Sequence, residues 1–560
     1  MKVVRFLLSG ALIWSIATQA IAQSLGVGSI ATEDYFRRAQ LQSKVDTTIS
    51  LTIRPLYPSF FESQYLKSDT SLGKYNWIGI SEYTKAGSIT VAPLPITIQT
   101  QFNSNHPYGW NDGPMIPAKG FQTMVSFGAF AQLGPLTIQF KPEIVTAENT
   151  YFESFNKNQY DVIFARYYDI YNNIDLPVRF GDHSYVQAFW GQSSIRLNLK
   201  AWSFGLSTEN LWWGPGIRNS LLMSNSAPGF PHLTLNTSSP LKTPIGSFEG
   251  QLIAGRLNNS NFAPLVPDHS FFGTNLYVPK PNDWRYLSGI IITWQPKWVP
   301  GLFLGYDQSA QMYGKNMGGI KSYLPIFSSV KSTTAPDKQI NTQDQLSSMF
   351  ARWIWLQEHA EIYFEYGHYN NFDDLYQSML RPDNSRAYTF GLRKLLPFKN
   401  LPNQNIMLGV EVTQLGNTSA ASVTQGQEWY VSRGVRQGYT NFGQMLGAGI
   451  GPGGNLQSLD ISWVKGLKRL GLQIERYVHD DDFYYYAFYD SKNYSQHWVD
   501  LSLGFTGEWN YKDFIFNAKL QGIQSNDYQW AVTQNGDDIT FSHQLHQFNL
   551  QLQAGFTYRF

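Results

Sequence analysis

The stretch Ser193-Ser194-Ile195-Arg196-Leu197-Asn198-Leu199-Lys200 decides the fold. Ile195, Leu197 and Leu199 stand at every second position, with Arg196, Asn198 and Lys200 between them. Successive side chains of a strand point to opposite faces, so one face here is apolar and the other polar or charged. Lipid outside and a polar lumen inside produce that split. It recurs with Leu459, Ile461 and Trp463 against Ser458, Asp460 and Ser462, and with Val499, Leu501, Leu503 and Phe505 against Asp500, Ser502 and Thr506. Phe514, Phe516 and Leu520 against Asn517 and Lys519 repeat it once more.

From Ser88 onward about 18 such segments follow one another, running from 88–102 through 191–200, 201–210 and 229–238 to 547–560. An even number is what single-chain bacterial barrels have. Short connections, such as Leu133–Gly134, Ser239–Ile245 and Gly466–Lys468, alternate with long loops, although the short one at Lys200 and Ala201 has no typical turn residues. A soluble sandwich also alternates, but without this long and short rhythm. The expected fold class is therefore all-β: a transmembrane antiparallel β-barrel with both termini on the periplasmic side. The last segment sets Phe548, Leu550, Leu552, Ala554, Phe556, Tyr558 and Phe560 on one face. It resembles the C-terminal strand that the barrel insertion machinery recognises, and lipid of the outer membrane is the other partner this pattern implies.

Composition agrees. The 560-residue chain has 15% charged residues and 16% aromatics, where soluble domains carry about 25% charged residues. With no cysteine, disulfide scaffolds, cysteine-ligated zinc and thiol nucleophiles are excluded. A net charge of +1 argues against nucleic acid as a partner.

The opening MKVVRFLLSGALIWSIATQAIAQ has a basic start, an apolar run from Phe6 to Ile16 and Ala20-Ile21-Ala22 before Gln23, which predicts a cleaved export signal over 1–22. That run is shorter than the ~20 residues of a spanning helix. Residues 23–87 have a different texture. Thr32–Val45 carries acidic residues early and basic ones later, as a short helix does, and Thr47–Ile53 alternates like a strand. We read 23–87 as a small periplasmic or lumen-plugging segment and 88–560 as the barrel.

Catalytic patterns are thin. Glu361 and Glu365 share a strand face, but four residues separate them by about 13 Å, beyond the ~5–9.5 Å of glycosidase pairs; they read as lumen polarity. Asp480-Asp481-Asp482 lacks the spacing of a calcium loop and reads as solvated loop charge. Gly447–Gly454 has no following Lys-Ser/Thr and reads as a flexible loop. No motif calls for a cofactor or a metal.

Aromatics in the long loops say more. Trp212 and Trp213 precede Arg218, Trp429 and Tyr430 precede Arg433 and Arg436, and Tyr108, Trp110 and Phe483 to Tyr486 add further rings. Aromatic faces stack on sugar rings, and guanidinium forks bind carboxylates, so the set suits an acidic polysaccharide. The run Leu211-Trp212-Trp213-Gly214-Pro215-Gly216, followed by Asn219–Leu222 and Pro228-Gly229-Phe230, resembles the Wzi family of capsule assembly proteins. Phe364–His368, Arg433–Tyr439 and Gly443–Gly447 support the resemblance in the same order. It implies an 18-stranded closed barrel acting as a non-enzymatic lectin that anchors capsular polysaccharide or exopolysaccharide at the cell surface. It also implies an N-terminal helical bundle, for which 23–87 is short. The candidate polysaccharide-binding residues are Trp212, Trp213 and Arg218 of the first motif and Arg433, Arg436 and Tyr439 of the second, the rings stacking and the arginines meeting carboxylates. WWGPG alternatively fixes a loop that closes the barrel mouth.

Two other readings remain open at this stage. One is a porin or substrate-specific channel, suggested by Arg196, Lys200, Asp500 and Lys519 as lumen charges. The other is an outer-membrane hydrolase with a Ser/His pair spread over separate strands.

Overall fold

The structure, a computed structural model, describes residues 24–57, 84–86, 89–155, 159–319, 323, 332–335, 338–369, 385–401, 403–417, 428–488, 497–530, 532–535, 538–541 and 546–560. The expected leader and residues 58–83 lie outside the described residues.

Eighteen antiparallel strands close into a barrel. They are β1 (Ile89–Asn103), β2 (Gly120–Leu133), β3 (Leu136–Phe140 with Glu143–Ala147), β4 (Tyr185–Phe189 with Ser194–Leu199), β5 (Trp202–Ser207) and β6 (His232–Thr237). There follow β7 (Gly246–Leu257), β8 (Arg285–Pro296), β9 (Leu302–Tyr313), β10 (Gln343–Trp355), β11 (Ala360–Tyr369) and β12 (Arg386–Pro397). The last six are β13 (Asn405–Gln414), β14 (Asn455–Lys465), β15 (Lys468–Val478), β16 (Val499–Tyr511), β17 (Phe514–Asn526) and β18 (Gln547–Tyr558). Pairing of Ile96–Asn103 with Tyr558–Gln551 joins β1 to β18 and leaves no open edge there. Thr84–Ala86 pairs with the start of β1, so sheet pairing begins just before the expected boundary at 87.

Alternation works as expected. On β4, Ile195 is 50% exposed on the outer face, whereas Arg196 is 1% exposed inside. Phe204 and Leu206 of β5 and Leu233 and Leu235 of β6 continue the outward apolar surface. Every expected segment has its strand, with shorter bounds at β5 and β6. The connection without typical turn residues is a true hairpin: Leu199 pairs with Trp202, and Lys200 takes a φ of +56° to close it. Lys200 is therefore exposed at a turn and is not a lumen charge. Arg196, Asp500 and Lys519 do face inward.

The N-terminal segment lies within the barrel. Helix α1 (Ile30–Leu41) stops short of the expected Val45 because Ser43 turns left-handed and the amides of Ser43 and Lys44 donate back to the carbonyls of Gln40 and Ala39, a Schellman closure. Tyr35, Phe36 and Ala39 pack with Val45, Ile49, Leu51 and Leu467, the last in the β14–β15 turn. Leu41 packs against Phe303, Leu395 and Val464 of the wall. The expected strand over Thr47–Ile53 reduces to Ile53–Arg54. Side chains capture the preceding backbone instead: Gln40 donates to the carbonyls of Asp46 and Ile49, and Arg352 to that of Ser50.

At the opposite rim, α2 (Asp161–Tyr171) and α3 (Asp481–Ala487) meet over the mouth. Phe155 stacks on Tyr167 at 4.5 Å, and Phe483 meets Tyr167 edge-on at 5.9 Å. The acidic run at 480–482 is not solvated: Asp480 caps α3 by accepting from the Phe483 amide, and the buried Asp482 accepts from Asn417. Gly447–Gly454 also packs inward, with Ala448 and Ile450 buried; a Cβ on Gly447 would meet the Leu221 carbonyl at 2.3 Å.

Candidate functional site

The WWGPG turn threads through the barrel interior. Trp212 and Trp213 pair in register with Arg54 and Ile53 of the N-terminal segment. Trp213 is fully buried and its indole donates to Gln251 of β7 at 2.9 Å. The Arg54 guanidinium lies 5.0 Å from the Trp212 ring. Gly214 has a φ of +108°, and a Cβ on Gly216 would lie 1.8 Å from the Asn219 carbonyl. The turn can be made by glycine at both places and hardly by anything larger.

Beyond the turn, the amides of Ile217, Arg218 and Asn219 converge on the Glu411 carboxylate of β13, donating at 2.7, 2.9 and 2.9 Å. Tyr363 of β11 donates to the same group at 2.7 Å. Successive amides aimed at one carboxylate form an anion nest, and here its occupant belongs to the wall. The Arg218 side chain extends from this nest to Glu475 at 2.8 Å and lies 5.3 Å from the Trp110 ring.

The second motif is equally structural in its centre. Tyr439 is buried, stacks near Tyr430 with centroids 5.8 Å apart, and donates to Ser309 of β9 at 2.8 Å. Tyr430 donates to the Leu221 carbonyl at 2.6 Å, which ties the two motifs together. Arg436 donates to the backbone carbonyls of Asn172, Val278 and Pro279 at 3.2, 2.7 and 3.1 Å. Arg433 alone of the six expected site residues is exposed.

The six residues thus divide by place. Trp213 and Tyr439 belong to the packed interior, Trp212 and Arg218 border an internal cavity, and Arg433 and Arg436 sit in the cap. Close to Arg433 lies Tyr486 of α3, which donates to Asp169 at 2.7 Å. Arg166 of α2 donates to the carbonyls of Tyr486 and Ala487 at 3.1 and 2.8 Å. Lys280 donates to the Tyr171 carbonyl at 3.0 Å, and burial pulls its ammonium down to about 8. Half-buried Tyr171 and Tyr277 complete a cap surface of rings and cations. Reading for strands missed α2, although Ile163, Phe164, Tyr167, Tyr168 and Ile170 recur at helical spacing.

The internal cavity, about 400 Å³ in volume, is bordered by Trp110, Asp112, Arg218 and Lys519 among others. Asp112 receives long hydrogen bonds from Gln101 and Gln553, at 3.5 and 3.4 Å. Burial pushes its carboxyl up to about 6.

A closed 18-stranded barrel with lipid-facing strands, a helix-bearing segment inside and a loop cap over the mouth defines a class of outer-membrane protein. The family model for "Capsule assembly protein Wzi" matches residues 99–514, and the chain belongs to that family. It is an outer-membrane protein. No curated protein matches the sequence. Among solved structures the chain is similar to Wzi of Escherichia coli, an outer membrane protein involved in group 1 capsule assembly and a carbohydrate binding β-barrel. That likeness has 11% identity and a TM-score of 0.60, covering 96% of this chain and 100% of the other. OccAB4 of Acinetobacter baumannii also aligns, at 11% identity and a TM-score of 0.38 over 85% of this chain and 99% of that one. A BenF-like porin from Pseudomonas fluorescens does so at 8% identity and a TM-score of 0.36 over 86% of this chain and 100% of the other.

Proposed function

We propose that the protein binds capsular or extracellular polysaccharide and anchors it at the cell surface without chemical conversion of the polymer. The observation that carries this reading is the filled mouth. Loops from β3–β4, β13–β14 and β15–β16 contribute Tyr168, Tyr430 and Phe483 to one buried cluster, Val266 of the β7–β8 loop packs against it, and Arg433 with Tyr486, Tyr171 and Tyr277 lies on top of it. Such a cap offers rings for stacking and a guanidinium for sugar carboxylates. The exposure of Arg433 and the loop carbonyls held by Arg436 support these two of the expected residues as the ones that meet a polymer from outside. Trp213 and Tyr439 serve as scaffold. The outward apolar strand faces support outer-membrane lipid as a partner. The outward apolar alternation along β18 supports recognition by the insertion machinery.

The test compares a strain lacking the protein with its parent, measuring cell-bound and released polysaccharide separately. A shift of polymer from cells to medium at constant total is expected. An unchanged partition, together with steady conductance of the pure protein in planar bilayers, would replace the anchor with the channel.

A further inference from the structure

We infer that the internal cavity is a binding site for a short acidic saccharide, with Lys519 as the cation that meets its carboxylate. The inference rests on the glycan reading above and adds a second, interior contact to it. The cavity follows the inner faces of β17, β18 and β1, from Ile515 and Thr557 near the short-turn rim to Gln551 and the turn at Tyr108–Trp110. Its volume of about 400 Å³ falls within the roughly 300–1,000 Å³ of small-molecule sites.

Charge at its border is unevenly satisfied. Arg218 is paired with Glu475 behind it, Asp460 with Arg469 and Asp34 with Arg393, while Glu411 is held by three amides. Lys519 lines the same space and has neither an ion pair within 4 Å nor a hydrogen bond among the described residues. A half-buried ammonium that faces the cavity without a direct counter-ion favours an incoming anion. The rest of the lining suits the body of a sugar. Asp112 is bound only loosely by Gln101 and Gln553, so its carboxyl has capacity for ring hydroxyls. Asn517 and Gln553 add amides, and Trp110 adds an aromatic face. A cation, hydroxyl acceptors, amides and a ring around one space match a uronic acid unit better than a neutral sugar or a lipid tail.

Titration calorimetry of the full-length barrel in detergent tests this, with di-galacturonic acid as the probe and maltose as its neutral counterpart. The acidic disaccharide is expected to bind about ten-fold or more tightly than maltose, the usual size of a hydrogen bond to a charged group. Lys519→Met should abolish that preference, Lys519→Arg should keep it, and Lys200→Ala, at the exposed β4–β5 turn, should leave it unchanged. Heat-modifiable gel mobility identifies folded barrels, with Lys519→Gln replacing the Met variant if that one fails to fold. Equal binding of the two sugars by the native protein, absence of binding, or an undiminished preference in the uncharged variant overturns the inference. Polymer released from cells lacking the protein, combined with no di-galacturonate binding, would sink the interior site while the surface anchor stands.

Discussion

Arg37 of α1 donates to Glu361 of β11 at 2.7 Å, and both side chains are buried. Glu361 is shared: Arg352 of β10 meets its other oxygen at 2.7 Å. Arg393 of β12 lies 3.7 Å from it as well, so one wall carboxylate faces a cation of the plug and two cations of the barrel. Breaking a buried pair from one side leaves an uncompensated charge and costs about 3–5 kcal/mol. Glu361→Gln strands Arg37 and Arg352 and should lower stability by that order, read as the urea unfolding midpoint in detergent. Arg37→Met should cost less, because Arg352 still neutralises Glu361. Equal losses in the two variants would refute the shared-carboxylate account.

The WWGPG turn yields a second prediction. A Cβ on Gly216 collides with the Asn219 carbonyl, and the following amides could then no longer converge on Glu411. Gly216→Ala should sharply reduce the yield of folded barrel. Trp213→Ala should cost about 3–5 kcal/mol, as large core truncations do, yet leave polysaccharide affinity per folded molecule intact. A loss of affinity at full stability would return Trp213 to the binding surface.

These two motifs show what the sequence makes legible and what it hides. Barrel strands are local objects: the alternation of Ile195, Leu197 and Leu199 with Arg196 is set by lipid on one side, and no distant partner is needed to read it. Trp212 and Trp213 have no such signature. The same rings suit a sugar platform or an interior turn, and only pairing with Ile53 and Arg54, more than 150 residues away, decides between them. Asp480 and Asp482 look solvated in the sequence because Asn417 and the α3 amides that hold them are invisible there. Arg218 and Trp110 were recognisable as chemistry, while their meeting place beside Lys519 depends on closure of β18 onto β1.

On the cap, Arg433 and Arg436 should separate in their effects. Arg433 is exposed, so Arg433→Ala should change stability by no more than about 0.5 kcal/mol and reduce the cell-bound share of polysaccharide. Arg436 satisfies three backbone carbonyls; its loss should destabilise the cap by about 1–3 kcal/mol and raise proteolytic nicking in the loop around Val278. Retention that survives Arg433→Ala unchanged would move the outer contact elsewhere on the cap.

The last prediction concerns acid. His106 lies in the β1–β2 loop, buried beside Tyr528 with ring centroids 4.7 Å apart and its Nε2 at 3.2 Å from the Ser525 hydroxyl. Burial holds its imidazole down at about 4, against the pull of Asp500, where the ordinary value is 6.5. Between those values the unfolded chain binds the proton and the folded barrel does not. Stability contributed by this histidine is therefore present above pH 6.5 and lost as pH falls toward 4, with a slope of up to about 1.4 kcal/mol per pH unit. Unfolding free energies at pH 7 and pH 5 should differ less in His106→Gln than in the native protein. Identical pH slopes in the two proteins would show that the imidazole is protonated in the folded state and that the loop accommodates its charge.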